Sequence, residues 1–152
     1  MLNLKPLWNY EIDEQLNDIS SFYKTIPKNF LDSLNIKSNE NFCCVLNTEV
    51  SNNNGKHWVC LYNDKNTNFI EYFDSFGVPP LKNVVDFCKR NYPKKEIFYN
   101  DNQLQKYESV LCGYYCIYYI RNRNKGLSPY EVVYNLQQEP SDFNEVEVVT
   151  NY

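Results

Sequence analysis

The sequence predicts a mixed α+β fold in which a mixed β-sheet packs on one central, buried helix. The segment from Cys112 to Ile120 is apolar on every side for more than two helical turns, which is typical of a helix buried all round. Three short runs at 42–47, 56–62 and 69–74 are rich in aromatic and β-branched residues and have the length of strands. With 152 residues we expect one domain, from residue 1 to residue 152.

Local signals predict the other elements. The segment 20–40 contains Pro27 and has mixed polarity, so we expect a loop with one helical turn near 29–34. The remaining predictions are a helix capped by Asn9 and running to about Asp18, a helix after Pro79-Pro80 that Pro93 closes, a strand at 96–99, a helix from the capping box Ser128–Glu131 to about Gln138, and a last helix capped by Ser141.

Composition restricts where the protein acts and what it binds. The net charge of −4 gives no general electrostatic reason to bind nucleic acid. A local basic patch at residues 89–95 could still bind it, and the alternative is that this patch is a solvated helix end. The six cysteines include several within apolar runs, and no segment has the apolar length of a signal peptide or membrane span. We therefore expect free thiols in an intracellular protein that is neither secreted nor membrane-bound.

Cys112 lies where a polar loop becomes the apolar helix. The first N–H groups of a helix have no internal partner and carry partial positive charge, which favours a thiolate at that position. Gly113 lets another backbone or a substrate approach closely. The alternative is that Cys112 is a small buried hydrophobic residue.

His57 is the only histidine of the chain. If the strands on either side form a hairpin centred between Lys65 and Asn66, His57 stands directly opposite Asp74. Opposed side chains have Cβ atoms roughly 4.5–5.5 Å apart, so the imidazole can donate to the carboxylate. This pairing assumes that no bulge separates the strands.

Together these residues supply the parts of a nucleophilic site. A cysteine nucleophile needs a base, and the base needs a carboxylate that orients it, roles that fit Cys112, His57 and Asp74. The developing oxyanion needs N–H donors, and the Cys112 backbone with the Gln105 side-chain amide would provide them.

A known family has the same residues in the same order. The chain resembles the adenain family of adenovirus-type maturation cysteine proteases and, more distantly, the proteases that process SUMO and related ubiquitin-like proteins. The resemblance runs from roughly residue 42 to residue 121, and its motifs are Asn47-Thr48, Gly55-Lys56-His57-Trp58, Phe73-Asp74-Ser75-Phe76-Gly77, and Gln105 followed by Cys112-Gly113.

The resemblance implies a papain-like, adenain-type cysteine protease fold and a role for each anchor residue. Cys112 would be the nucleophile, His57 its base and later its acid, and Asp74 the orienting carboxylate. Gln105 would stabilise the oxyanion. Trp58 and Gly113 would bind substrate in a narrow channel that accepts small residues such as Gly before the cleaved bond.

The function implied is that of a cysteine endopeptidase that cleaves viral capsid or core precursors during virion maturation. Such an enzyme would be a monomer acting on protein substrates in the host cytoplasm or nucleus, and packaged in the virion. Adenovirus enzymes are activated by a disulfide-linked viral peptide and by DNA, but residues 92–105 contain no cysteine here. The sequence thus shows no required cofactor; an activating peptide stays a candidate partner, and DNA activation is not expected.

Three alternatives stay open. A protease that removes ubiquitin or SUMO from proteins would have an identical site. His57, Cys60, Cys112 and Cys116 could instead hold a metal ion, which the odd separation of Cys60 from His57 disfavours because strand side chains alternate. A binding module without catalysis is the third, and the complete set of catalytic residue types argues against it.

Overall fold

The computed structural model describes residues 5–36, 40–48, 57–137 and 139–152. Gly55, Lys56 and Gln138 of the predicted motifs and elements lie outside these ranges. In chain order the elements are α1 (Asn9–Leu16), β1 (Phe22–Pro27), a 3₁₀ helix (Lys28–Ser33), β2 (Phe42–Asn47), β3 (Trp58–Asn63), β4 (Phe69–Phe73), α2 (Lys82–Asn91), β5 (Glu96–Tyr99), α3 (Cys112–Asn124), α4 (Pro129–Tyr134) and α5 (Asp142–Thr150).

The five strands form one mixed sheet in the order β1-β2-β3-β4-β5. The inner pairs β2–β3 and β3–β4 are antiparallel, whereas both outer pairs are parallel. Because strand side chains alternate, the sheet has two apolar faces. Trp58, Cys60 and Tyr62 pack with α3, and Val59 and Leu61 pack with α2 on the opposite face. This is the predicted α+β arrangement of a sheet on a central helix.

A buried ion pair joins the C-terminal end of α3 to the middle of β4. The Arg123 guanidinium donates to both carboxylate oxygens of Glu71, at 2.7 and 2.8 Å. The Tyr119 hydroxyl also donates to Glu71, at 2.6 Å. Glu71 is fully buried, so these three donors replace the water that its charge would otherwise bind. The pair fixes how α3 lies along the sheet.

Most predicted elements are confirmed, and three predictions are wrong in detail. Asn9 is the first residue of α1, and Trp8 is the cap position, where its N–H donates to Glu11 at 3.0 Å. The segment predicted as loop contains β1, whose parallel pairing with β2 contributes the sheet edge. The strand β1 was not predicted because its burial does not alternate regularly, so polarity alone does not reveal a strand there. The helix α4 ends at Tyr134, earlier than predicted.

All six cysteines lie in the described ranges, where they are buried and form no disulfide. Within the same ranges, no helix combines the length and the apolar character needed to cross a bilayer.

The substitution Arg123→Met should lower the free energy of unfolding by about 3–5 kcal/mol, because it leaves the Glu71 carboxylate buried without its partner. Urea denaturation followed by circular dichroism measures the loss. Lys82→Met is the control, since the Lys82–Asp86 pair is solvent-exposed and its removal should change little. Equal effects of the two substitutions would show that the buried pair does not stabilise the fold.

Candidate catalytic site

The register of β3 and β4 differs from the predicted one by two residues. Cys60 pairs with Phe73 and Asn63 pairs with Ile70, so continuing this register places His57 opposite Phe76 and not opposite Asp74. The cause is the connecting segment, which forms a turn at Asp64 and has six residues between the paired Asn63 and Ile70, whereas the predicted register leaves four (64–67). A shift of two residues keeps every side chain on its face, whereas a shift of one would reverse it. Asp74 is therefore the diagonal neighbour of His57.

His57 lies directly before β3, and its ring is held from two sides. Its Nε2 atom is 2.8 Å from Oδ1 of Asp74. The same carboxylate oxygen accepts the backbone N–H of Phe76 at 2.8 Å. The Phe76 ring stacks on the imidazole with 4.8 Å between the ring centres. The predicted His57–Asp74 contact is thus present, and Phe76 restricts the rotation of the imidazole.

The turn after β4 positions the Asp74 carboxylate. Asn100, the residue after β5, donates to the Asp74 carbonyl at 2.8 Å and accepts the Asp74 N–H at 3.3 Å. The Gly77 N–H donates to the Asp74 carbonyl at 2.8 Å. Gly77 has a φ of +71°, and a Cβ there would lie 2.6 Å from the carbonyl of Asn102. Only glycine fits this turn, because a side chain would be strained and would clash with the backbone.

Cys112 is the first residue of α3, as predicted, and its sulfur faces His57. The Trp58 backbone N–H points at the Cys112 Sγ atom at 3.4 Å, and the Cys112 side chain lies close enough to the His57 ring to raise the pKa of the imidazole. Since Nε2 of His57 is bound to Asp74, Nδ1 is the nitrogen that remains for the sulfur. The described structure thus brings Cys112, His57 and Asp74 together in one site.

The surroundings of His57 favour its protonated form. Burial lowers its pKa, but the hydrogen bonds to Asp74 and Cys112 and the charges of both outweigh burial and raise the pKa to about 10. An imidazolium at neutral pH is the partner that a thiolate requires. The geometry therefore fits a thiolate–imidazolium pair held by a carboxylate.

Gln105 is 1% exposed and lies in the loop before α3. Its backbone N–H donates to the Ser75 carbonyl at 3.0 Å, and its side-chain Nε2 donates to the Ser109 carbonyl at 2.9 Å. The Ser75 hydroxyl donates to the Gln105 Oε1 atom at 2.5 Å. The structure thus attaches Gln105 to the turn that carries Asp74, and its oxyanion role stays a prediction.

Trp58 and Gly113 both contact the segment that precedes α1. The Trp58 indole N–H donates to the Leu7 carbonyl at 3.2 Å, and the side chain is 4% exposed. A Cβ at Gly113 would lie 3.2 Å from Ile12 and 3.3 Å from Leu7. The space that the glycine leaves is therefore filled by the N-terminal segment. Contact of either residue with a substrate stays a prediction.

Cys60 faces α3 in the same apolar cluster as Cys112 and Cys116, whereas His57 is the residue before β3. Burial, then a hydrogen bond to Cys116, raises the pKa of Cys60 well above its ordinary value. Within residues 5–36, 40–48, 57–137 and 139–152, no three histidine, cysteine or acidic side chains form a cluster that could hold a metal ion.

Sequence reasoning assigned no structural role to Ser75 and did not single out Asn100. Both are polar residues in the turns that follow a strand, where side chains give no periodic signal. Their positions directly after Asp74 and after the strand that pairs with β4 are the only hints that the sequence contains.

Comparison with known proteins identifies the fold. No family model matches the sequence. The chain is 30% identical over 122 residues to the cysteine protease of African swine fever virus, isolate Tick/Malawi/Lil 20-1/1983, and the match covers 73% of this chain but 44% of the relative. A relative from isolate Pig/Kenya/KEN-50/1950 of that virus, with the same identity and coverage, is named a SUMO-1 cysteine protease. The chain thus spans less than half the length of these relatives.

Solved structures extend the comparison. The crystal structure of the African swine fever virus pS273R protease superposes with a TM-score of 0.72 at 22% identity, covering 96% of this chain and 67% of that one. The SUMO protease Ulp1 superposes with a TM-score of 0.53 at 13% identity, covering 95% of this chain and 74% of that one. This chain has the fold of these cysteine proteases. The expected α+β protease fold is confirmed, whereas the likeness to adenovirus-type enzymes in particular stays a prediction.

The single histidine allows its protonation to be measured directly by NMR of the imidazole nitrogens in untagged protein. His57 should stay protonated from about pH 6 to about pH 8.5, because its pKa is raised from 6.5 to about 10. Asp74→Asn should lower this pKa, since the carboxylate that stabilises the imidazolium is removed. A His57 titration near its ordinary value in the parent protein would contradict the geometry described above.

Proposed function

We propose that this chain is a cysteine protease domain in which Cys112, His57 and Asp74 perform acyl transfer. The observation that carries the proposal is that the imidazole paired with the Asp74 carboxylate at 2.8 Å also interacts with the Cys112 side chain at the start of α3. A buried structural cysteine has no need of an oriented, protonated histidine. The protease names of the relatives and the shared fold support the same reaction.

Each residue has a defined part in the reaction. The Cys112 thiolate attacks the carbonyl carbon of the cleaved bond, and the carbonyl π electrons move to the oxygen. When this intermediate collapses, the C–N bond breaks and the amine takes the proton of the His57 imidazolium, leaving a thioester. His57 then removes a proton from water, the hydroxide attacks the thioester, and the collapse releases a carboxylic acid and the thiolate. Asp74 holds the imidazole orientation throughout.

The substrates that the comparisons favour are SUMO-type proteins. The chain is similar both to viral relatives named SUMO-1 cysteine proteases and to the solved SUMO protease Ulp1. The sequence predicted viral precursor proteins as the first class of substrate and SUMO or ubiquitin as the alternative. The comparisons give more support to SUMO than to viral precursors. The bond cleaved would follow the C-terminal glycine of the modifier.

Viral precursor proteins are the second candidate substrates. The relatives that match this chain at 30% identity are viral proteins, and a viral protease with this site could cleave precursors after small residues. Such an enzyme would act during particle maturation. Its site would be the same, so only substrate trials can separate the two candidates.

Cys112→Ala should abolish both peptide cleavage and the fast labelling of the protein by iodoacetamide near neutral pH. His57→Ala should slow peptide cleavage by a factor of roughly 10²–10⁴, because the thiolate loses its counter-ion and the amine loses its proton donor. Labelling sites are identified by mass spectrometry.

Cys116→Ala is the matched control, since Cys116 is buried one helical turn further along α3 and should leave the labelling of Cys112 unchanged. Labelling spread evenly over the six cysteines and indifferent to His57 would overturn the proposal.

Human SUMO-1 carrying a C-terminal extension after Gly-Gly should be cut to its mature form by the parent protein and not by Cys112→Ala. Gel electrophoresis and intact mass measure the cut. A Gly-Gly peptide taken from a viral precursor, and ubiquitin with the same extension, are the comparison substrates. A preference for the free peptide over extended SUMO-1 would favour precursor processing over SUMO processing.

A further inference from the structure

Ser75 is fully enclosed between the two halves of the catalytic site. It directly follows Asp74 and is 1% exposed. Its carbonyl oxygen accepts the backbone N–H groups of Leu104 and Gln105 at 2.8 and 3.0 Å. Its hydroxyl donates to the Gln105 Oε1 atom at 2.5 Å. One residue therefore holds both the backbone and the side chain of Gln105.

The Ser109 carbonyl and the Ser75 hydroxyl together hold the Gln105 amide in one orientation, because the carbonyl can only accept and the hydroxyl donates to the other end of the amide. A carboxamide has an acceptor end and a donor end of nearly the same shape, so rotation by 180° exchanges them without changing the packing. With Ser75 donating to Oε1, the Nε2 atom is directed at the Ser109 carbonyl, where one of its hydrogens is used. Within the described part of the chain, the second Nε2 hydrogen donates to no acceptor. One N–H therefore remains on the amide for which the resemblance implies an oxyanion role.

We propose that Ser75 is a positioning residue that orients the Gln105 amide so that Nε2 presents an N–H to the oxyanion of the acyl-transfer intermediate. The proposal rests on the proposed protease function and deepens it. Because Ser75 and Asp74 are adjacent in one turn, the same backbone segment positions the carboxylate behind the base and the donor for the oxyanion.

The proposal requires that Ser75 act through Gln105 and on no other part of the reaction. Without the Ser75 hydroxyl the Oε1 atom loses this donor, so the amide is held only through the Ser109 carbonyl and the Nε2 atom is no longer fixed in place. The value of kcat should then fall about tenfold, the effect of losing one neutral hydrogen bond. KM should change little, since the donor acts on a charge that develops after substrate binding. Removing the whole amide in Gln105→Ala should lower kcat by roughly 10²–10³.

The test is a double-mutant cycle of Ser75→Ala and Gln105→Ala, with hydrolysis of a benzyloxycarbonyl-Gly-Gly p-nitrophenyl ester as the readout. Ser75→Ala should slow acylation in the parent background and have no further effect in the Gln105→Ala background. Ser75→Thr, which keeps a hydroxyl, should recover most of the lost activity if it folds. Thermal unfolding monitored by circular dichroism establishes that each variant is compared in its folded state.

Two outcomes would overturn the proposal. One is an unchanged kcat in folded Ser75→Ala. The other is an equal loss from Ser75→Ala with and without Gln105, which would mean that Ser75 acts through the general stability of the turn. Iodoacetamide labelling of Cys112 separates these outcomes from failure of the proposed function. Labelling depends on the thiolate and His57 but needs no oxyanion donor, so it should be retained in folded Ser75→Ala. Loss of selective labelling already in the parent protein would refute the protease function itself.

Discussion

The hydrogen bond between His57 and Asp74 is the interaction on which the site depends. It joins the residue before β3 to the residue after β4. It therefore requires the start of β3 and the end of β4 to lie side by side at one end of the sheet. The side-chain exposure is 18% for His57 and 5% for Asp74, and at that burial an unpaired carboxylate would be costly. The pair satisfies the carboxylate and orients the imidazole towards Cys112.

The fold meets this requirement through contacts that lie far from the sulfur. The buried Arg123–Glu71 pair joins the far end of α3 to β4, and the start of α3 carries Cys112. The helix α3 therefore runs from the middle of β4 to the end of the sheet at which His57 lies. Asn100 and Gly77 set the turn that carries Asp74. Cys112, His57 and Asp74 thus lie at a helix terminus and at strand ends, which are rigid elements, whereas Gln105 lies on the loop before α3 and is held there by Ser75.

Much of the fold, and the proximity of Cys112, His57 and Asp74 in the candidate site, could be predicted because these features produce strong local signals. The helix headed by Cys112 is apolar on all sides, and β2 and β5 have the bounds predicted for them. His57 and Asp74 could be paired because strand parity survives a register error of two residues. The register itself could not be predicted, since it depends on the turn that Asp64 forms. β1 was missed because its stability comes from pairing with β2, which is a tertiary effect.

Ser75 shows why sequence reasoning ends where it does. Its importance comes from a contact with Gln105, 30 residues further along the chain, and no periodicity or spacing predicts such a contact. The same is true of the Trp58 N–H that points at the Cys112 sulfur. Residue types could therefore be assigned to roles, whereas the contacts that hold them in place required the structure.

The central claim is that Cys112 forms a covalent acyl intermediate, and trapping that intermediate tests it most directly. The parent protein is mixed with an activated Gly-Gly ester, quenched in acid within the first turnover, and digested for mass spectrometry. The account predicts one acyl group per molecule, attached to Cys112 as a thioester and matched by a burst of released alcohol. No burst, or acyl groups distributed over the other cysteines, would contradict it.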